Sequence, residues 1–247
     1  MGKHQRSVIF LLLALFFCAS LAGCTDSGNE TAPRAQQSAA ESPDRDESVE
    51  KGLVRLALSS PVDTMDVHKN TEDYMLPLNI YERLFDIRVN EDGSTELAKG
   101  LAEDWSVSED GLTYRFTLRA DAFFSDGTPV KASDVAFTFA RMLALPDSRQ
   151  TDFADMILGA AAVMANQADV LEGIRVLDDR QLEITLTEPF AGYLYQLATP
   201  SCSILSEKCV TESGDAFGKS AEHTVGSGPY RVTEFIFMFI PALSHFP

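Results

Sequence analysis

The chain has 247 residues and a formal net charge of −17 at pH 7, from 37 acidic and 20 basic side chains. This charge, and the lack of a basic cluster that would release counterions, exclude nucleic acid as a partner. A chain of this length is enough for one sizeable core or two small domains.

The N-terminus has the features of an export signal. Lys3 and Arg6 precede an apolar run, residues 8–17. This run is about half the ~20 residues that span a membrane, so it predicts a secretory signal and not a transmembrane helix. The following Leu21-Ala22-Gly23-Cys24 resembles the bacterial lipobox. That resemblance implies a signal peptide at 1–23 and a lipid on Cys24; the alternative is an ordinary signal peptide with a chance cysteine.

Residues 24–51 are nearly all small or polar, with almost no large apolar side chain to bury. Such a composition predicts a disordered tether, which would let a folded domain stand off from a lipid surface. The folded body is therefore expected to begin near residue 52.

The first elements of the body are a strand, a loop and a helix. Residues 53–58 form a short apolar run that predicts a strand, followed by a loop to about Tyr74. An amphipathic helix with Pro77 in its first turn is predicted next. This prediction is based on apolar residues at four-residue spacing, namely Leu76, Ile80 and Leu84.

Turn sequences at 90–93, 109–111 and 125–129 divide the next part of the chain. Residues 112–118 alternate between apolar and polar, which predicts a strand with one buried face. A helix ended by Pro146 follows, with Ser133 or Asp134 as its N-cap. Its buried face is predicted to contain Val135, Phe139 and Met142.

The remaining elements are an Ala-rich helix at 153–168 weakened by Gly159, two strands at 174–177 and 182–186, and a helix at 190–197. Strands and helices are mixed, without an internal repeat or the regular alternation of a barrel. The predicted fold class is therefore α/β in the broad sense, a mixed α+β domain.

Four strings in this order resemble the extracytoplasmic solute-binding proteins of ABC transporters, in the family of dipeptide, oligopeptide and nickel binders. They are Ile80-Tyr81-Glu82-Arg83-Leu84, the stretch 101–114, the stretch 124–135, and Gly226-Ser227-Gly228-Pro229-Tyr230. The resemblance implies a periplasmic-binding-protein-like type II fold, whose two lobes close on a ligand. Residues 52–86 and 174–235 would form lobe I, with a small inserted domain at 87–173.

The family's second lobe would follow the Gly-x-Gly-Pro-Tyr segment, whereas residues 236–247 form an apolar end. We expect from this end a truncated or frame-shifted product; the alternative is a naturally short relative with a buried last strand.

The resemblance implies non-covalent capture of peptides outside the membrane and delivery to a permease, by a monomer without a cofactor. A lipoprotein receptor or adhesin, a binder of nickel chelates or oligosaccharides, and an exported hydrolase are the alternatives. The hydrolase is disfavoured because the sequence has no Gly-x-Ser-x-Gly, His-Glu-x-x-His or phosphate-binding loop motif.

Two groups of residues bear on ligand chemistry. The resemblance places Glu72, Asp73 and Tyr74 at the cleft, where a carboxylate would meet a peptide amine and the tyrosine would pack on a side chain. The nearby Asp63, Asp66 and His68 have metal-binding side chains, but aspartate is common in turns, and we expect no metal site.

Cys202 and Cys209 either form a disulfide, which an exported protein permits, or are buried thiols.

Overall fold

The computed structural model describes residues 62–70, 74–146, 148, 151 and 154–234. All of them belong to one compact unit that spans 57–247. The elements in chain order are α1 (Pro77–Ile80), β1 (Phe85–Val89), β2 (Thr95–Lys99), β3 (Ala102–Val107), β4 (Thr113–Leu118), α2 (Ala132–Ala144), α3 (Ala160–Met164), β5 (Ile174–Val176), β6 (Gln181–Thr185), α4 (Tyr193–Gln196) and α5 (Glu207–Ser213). Two short 3₁₀ turns flank α5, at Pro200–Cys202 and Gly214–Ala216.

The centre of the fold is an antiparallel sheet in the order β3-β4-β6-β5. In β4, Tyr114, Phe116 and Leu118 are buried and the residues between them are not, so the predicted two-residue alternation is confirmed. Phe85 packs edge-on against Phe116 and against Trp105 of β3, with ring centroids 6.0 and 5.0 Å apart. Aromatic side chains thus join the sheet to the chain that enters β1.

The sheet crosses the boundary predicted between residues 173 and 174. β6 is hydrogen bonded to β4 along its whole length, so strands from both sides of that boundary share one sheet. The division into lobe I and an inserted domain stays a prediction.

Two short helices differ from their predictions. α1 has only four residues because Tyr81 is already extended, with ψ of 146°, and leads the chain toward β1. Leu84 therefore lies beyond the helix. In the Ala-rich stretch, α3 has only five residues, and Gly159, with φ of +87°, directly precedes the first of them. A left-handed glycine ends regular helix geometry, so Gly159 sets the start of the helix instead of weakening its middle.

The N-cap of the long helix α2 lies two residues before Ser133, the earlier of the two predicted caps. Its N-cap is Lys131, and the Asp134 carboxylate accepts a hydrogen bond from the Lys131 backbone N–H at 2.9 Å. Asp134 also accepts from the Glu207 N–H at 3.0 Å, which ties α2 to the start of α5. The helix ends at Ala144, before Pro146, as predicted.

The hydrophobic side chains form two clusters. The larger one surrounds the sheet and the buried face of α2, including Val135, Phe139 and Met142. The smaller one joins the chain before β1 to the chain after α4, through Met65, Val67, Ile80, Tyr81, Leu205, Cys209, Val210 and Phe217. These two chain stretches, far apart in sequence, thus pack on each other.

Several predictions concern parts of the chain outside the described residues: the signal at 1–23, Cys24, the tether at 24–51, the strand at 53–58 and the apolar end at 236–247. Among the described residues, no helix has the length and hydrophobicity that crossing a membrane demands.

Candidate ligand-binding site

The loop before α1 is buried although it has no regular secondary structure. Met65, Asp66, Val67 and His68 each expose at most 2% of their surface. The Met65 N–H donates to the Gly218 carbonyl at 2.7 Å, and the Asp66 carbonyl accepts from the Asn70 N–H at 2.8 Å. The backbone of this loop is therefore fixed before any side-chain interaction is counted.

A buried ion pair fastens the loop to the last turn of α2. The Arg141 guanidinium donates through Nη2 to Asp66 Oδ2 at 2.6 Å and through Nη1 to Oδ1 at 2.9 Å. The Phe217 ring covers the guanidinium at 5.4 Å from its centroid. This two-point geometry fixes the orientation of the loop as well as its distance from α2.

His68 completes the group as a neutral acceptor. Arg141 Nη1 lies 2.9 Å from His68 Nδ1. A guanidinium can only donate, so Nδ1 carries no proton and the ring proton is on Nε2. Nε2 is buried without a well-formed hydrogen bond among the described residues.

The electrostatics follow from burial and from the charge of Arg141. Burial alone would raise the pKa of Asp66, but the hydrogen bonds and charge of Arg141 outweigh it and hold the pKa below its usual 3.8. For His68, burial first and Arg141 second lower the pKa from 6.5 to about 3. At neutral pH the group is thus a carboxylate, a guanidinium and an uncharged imidazole.

We expect the buried His68 to make folding pH-dependent. The unfolded chain binds a proton at His68 below pH 6.5, whereas the native chain does so only below about pH 3. The free energy of unfolding should therefore fall as pH drops through this window, by up to about 1.4 kcal/mol per pH unit. Asp66 adds its own loss below its ordinary pKa of 3.8, because its native pKa is depressed.

Urea unfolding at a series of pH values measures this slope. His68→Asn keeps an acceptor for Arg141 and should flatten the curve between pH 6.5 and 4.5. His223→Gln, the matched control at a partly exposed histidine, should keep the slope. An unchanged slope in His68→Asn would refute the assignment.

Of the three side chains that could bind a metal, two lie together in the structure, but they surround the guanidinium of Arg141. Asp66 and His68 both contact Arg141, while Asp63 is exposed. No group of three or more metal-binding side chains occurs among the described residues. Arg141 was missed by the sequence analysis, because it lies 75 residues from Asp66 and no short-range pattern connects them.

Of the predicted cleft residues, Tyr74 is described and Glu72 and Asp73 are not. Tyr74 is half-buried, and its hydroxyl donates to the Asn70 carbonyl at 2.8 Å. Its ring also packs against the smaller hydrophobic cluster. The structure thus places Tyr74 directly after the loop that Arg141 fastens.

The Gly-Ser-Gly-Pro-Tyr segment packs against α1. The Gly228 N–H donates to the Ile80 carbonyl at 2.7 Å, and the Tyr230 N–H donates to the Asn79 carbonyl at 3.1 Å. A Cβ on Gly228 would lie 2.6 Å from the Asn79 oxygen, and one on Gly226 would overlap the Ile80 oxygen. These glycines are needed for close approach and not for an unusual backbone conformation, because neither has a positive φ.

Cys202 and Cys209 are separate, buried thiols, so the disulfide alternative is wrong for this structure. Cys202 belongs to the larger hydrophobic cluster and Cys209 to the smaller one. Burial raises the pKa of Cys202 to about 11, and burial also raises the pKa of Cys209. Both thiols are therefore protonated and unreactive at neutral pH.

Comparison with known proteins identifies the class and then the family. Solved structures that resemble the chain are type II periplasmic binding proteins, which confirms the predicted fold class. The family model for bacterial extracellular solute-binding proteins, family 5, matches residues 96–236, more than half of the chain. The chain belongs to this family, as the four sequence strings indicated.

Individual relatives give the same assignment. The chain is 31% identical over 188 residues to the probable D,D-dipeptide-binding periplasmic protein DdpA of Escherichia coli, covering 74% of this chain and 34% of that one. The substrate-binding domain of an oligopeptide ABC transporter from Bacillus anthracis is 33% identical with a TM-score of 0.64, covering 70% and 33% of the two chains. OppA of Listeria monocytogenes, solved with a bound peptide, is 27% identical with a TM-score of 0.61, covering 70% and 34%. The chain thus spans about a third of the length of the relatives it matches.

Proposed function

We propose that the chain is the ligand-capturing part of an ABC importer's solute-binding subunit and that it captures peptides outside the membrane without covalent chemistry. It delivers them to a permease, acts as a monomer and needs no cofactor. The observation that carries the proposal is the family match over residues 96–236. The names of the relatives support peptides over nickel chelates or oligosaccharides, because DdpA is described as dipeptide-binding and the Listeria protein was solved with a peptide.

The proposed contact segment is Glu72, Asp73 and Tyr74. The loop just before it is fixed by the Asp66–Arg141 pair and by the Met65–Gly218 hydrogen bond. A ligand-contacting segment gains from a rigid base, because less conformational freedom is lost when the ligand binds. The two carboxylates supply the charge that attracts a peptide amine, and Tyr74 supplies an aromatic surface.

Heteronuclear NMR titration of the chain with a short peptide tests this site. We expect chemical-shift changes at residues 62–74 and 224–230, and weaker binding of the N-acetylated peptide because it lacks the charged amine. Glu72→Gln and Asp73→Asn should each reduce affinity for the free-amine peptide by roughly tenfold, the usual effect of a hydrogen bond to a charged group. Asp63→Asn, an exposed carboxylate of the same loop, is the matched control and should bind normally.

The proposal fails if the free-amine and N-acetylated peptides bind equally, or if the perturbed residues lie elsewhere in the chain. Release of new amines from the peptide during the titration would instead support the hydrolase alternative.

We further propose that a lipid on Cys24 holds the protein at the extracytoplasmic face of the cell membrane. A lipid anchor keeps a binding protein close to its permease, and the polar tether at 24–51 gives it reach. In bacteria fed a labelled fatty acid, the wild-type chain should be labelled and recovered with membranes. The Cys24→Ser variant should carry no label and should not be recovered with membranes.

Cys18→Ser is the matched control, because it removes a cysteine of the signal and leaves the lipobox intact. It should be labelled like the wild type. Labelled Cys24→Ser protein would contradict the anchor.

A further inference from the structure

A cleft of about 440 Å³ lies where the chain enters β1. Its charged lining residues are Glu82, Arg83, Asp86, Lys99, Glu103 and Arg119. None of them belongs to the segment 72–74 proposed above to contact peptides. The volume lies within the range of ordinary small-molecule sites, about 300–1,000 Å³.

The three carboxylates of the cleft already have cationic partners. Arg119 binds both oxygens of Glu82, at 2.7 and 2.9 Å. Glu103 pairs with Arg180, and Asp86 pairs with Arg83 Nη2 at 3.0 Å. No carboxylate of the cleft is therefore left to attract a cation.

Two cations of the cleft are incompletely paired. Arg83 exposes only 5% of its side chain, yet its Nε and Nη1 have no hydrogen-bond partner among the described residues. Lys99 is exposed, and its Nζ donates to the Glu103 carbonyl at 2.7 Å and lies 5.8 Å from the Trp105 ring centroid. Among the residues that the structure describes, no carboxylate forms an ion pair with Lys99.

This imbalance has a physical consequence. A buried guanidinium with unused donors has lost hydration without full replacement, which is unfavourable until an acceptor arrives. A carboxylate matches the guanidinium fork with two parallel hydrogen bonds, and an ammonium adds a third contact. The cleft thus has both the space and the surplus of positively charged donors for one small carboxylate.

We propose that this cleft binds the carboxylate group of a small solute, with Arg83 and Lys99 as its ligand-binding cations. Because Nε and Nη1 of Arg83 are covered by protein atoms, binding through them requires the side chain to rotate toward the cleft. Lys99 contacts the carboxylate at the mouth of the cleft. The carboxylate belongs either to a free organic acid or to the C-terminus of a short peptide, and the proposal is independent of the peptide-amine contact at residues 72–74.

NMR titration of the full chain at constant ionic strength tests the cleft with acetate, with N-acetyldiglycine and with N-acetyldiglycine amide. Both acetylated compounds lack an amine, so the contact proposed at Glu72 and Asp73 plays no part. Saturable shifts at residues 82–86 and 99–103 with acetate indicate that any small carboxylate suffices. The same shifts only with N-acetyldiglycine indicate a peptide C-terminus. Equal shifts with chloride or with the amide, or no saturable shifts, overturn the proposal.

Variants separate the cleft from a general effect of anions. Lys99→Gln at an exposed position should weaken carboxylate binding roughly tenfold, and Arg83→Met should abolish it. Lys69→Gln, which removes an exposed lysine outside the cleft, should leave affinity unchanged. If Arg83→Met does not fold, Lys99→Gln decides the matter, because wild-type affinity in that variant refutes the site.

Discussion

Asp66→Asn is expected to lower the free energy of unfolding by about 3–5 kcal/mol, the range measured when one partner of a buried ion pair is removed. Asp66 exposes 2% of its side chain and Arg141 exposes 11%. The substitution leaves the guanidinium in the interior with no opposing charge, while the shape of the side chain is unchanged. Urea unfolding followed by circular dichroism at neutral pH measures the loss.

The pair Arg88 and Glu96 on the β1–β2 hairpin is the matched control. Its partners expose 68% and 52% of their side chains and lie 3.5 Å apart. Arg88→Met should therefore change stability by less than about 1 kcal/mol. If Asp66→Asn is no more destabilising than Arg88→Met, the buried pair does not hold the loop. Replacing both members of the buried pair, Asp66→Leu with Arg141→Met, should be less harmful than the single change, because no isolated charge remains.

Gly226→Ala is expected to destabilise the chain by about 3 kcal/mol, at the upper end of ordinary overpacking effects. The added methyl group would overlap the Ile80 carbonyl oxygen, which is a backbone atom and cannot rotate away. The segment would have to separate from α1, with loss of the Gly228–Ile80 and Tyr230–Asn79 hydrogen bonds. Thermal and urea unfolding both measure this effect.

Gly93→Ala separates crowding from backbone strain. Gly93 has φ of +81° in the turn between β1 and β2, and nothing lies within 4 Å of its hypothetical Cβ. Only the left-handed conformation opposes this substitution, at about 1–2 kcal/mol. Equal losses in the two variants would show that the contact with Ile80 does not explain the glycine at 226.

Strong local patterns predicted much of the fold. The strand at residues 112–118 is predicted from the two-residue period of its apolar side chains alone. The end of α2 before Pro146 is predicted from the chemistry of proline alone. The β1–β2 hairpin was missed although its turn at 90–93 was recognised. Of β1, only Phe85 is buried, so its strands carry no alternating pattern to detect.

The candidate site was predictable in type but not in its partners. Aspartate and histidine at 66 and 68 were recognised as a polar group, and the metal interpretation was set aside. Their actual partner comes from the last turn of a helix in another part of the chain. A pair separated by 75 residues has no periodic signal, so only packing of α2 against the loop reveals it.

The sequence by itself determined the family, through four short strings whose turns and close contacts need particular residues. It also determined the expectation of export, since charge and apolar length alone distinguish a signal from a membrane span. Only the tertiary structure decided that Arg141 holds Asp66 and His68, that Gly226 and Gly228 serve close approach, and that both body cysteines are free thiols. The same holds for the unpaired donors of Arg83. Burial and hydrogen-bond satisfaction depend on residues that meet only after folding, and no local pattern encodes them.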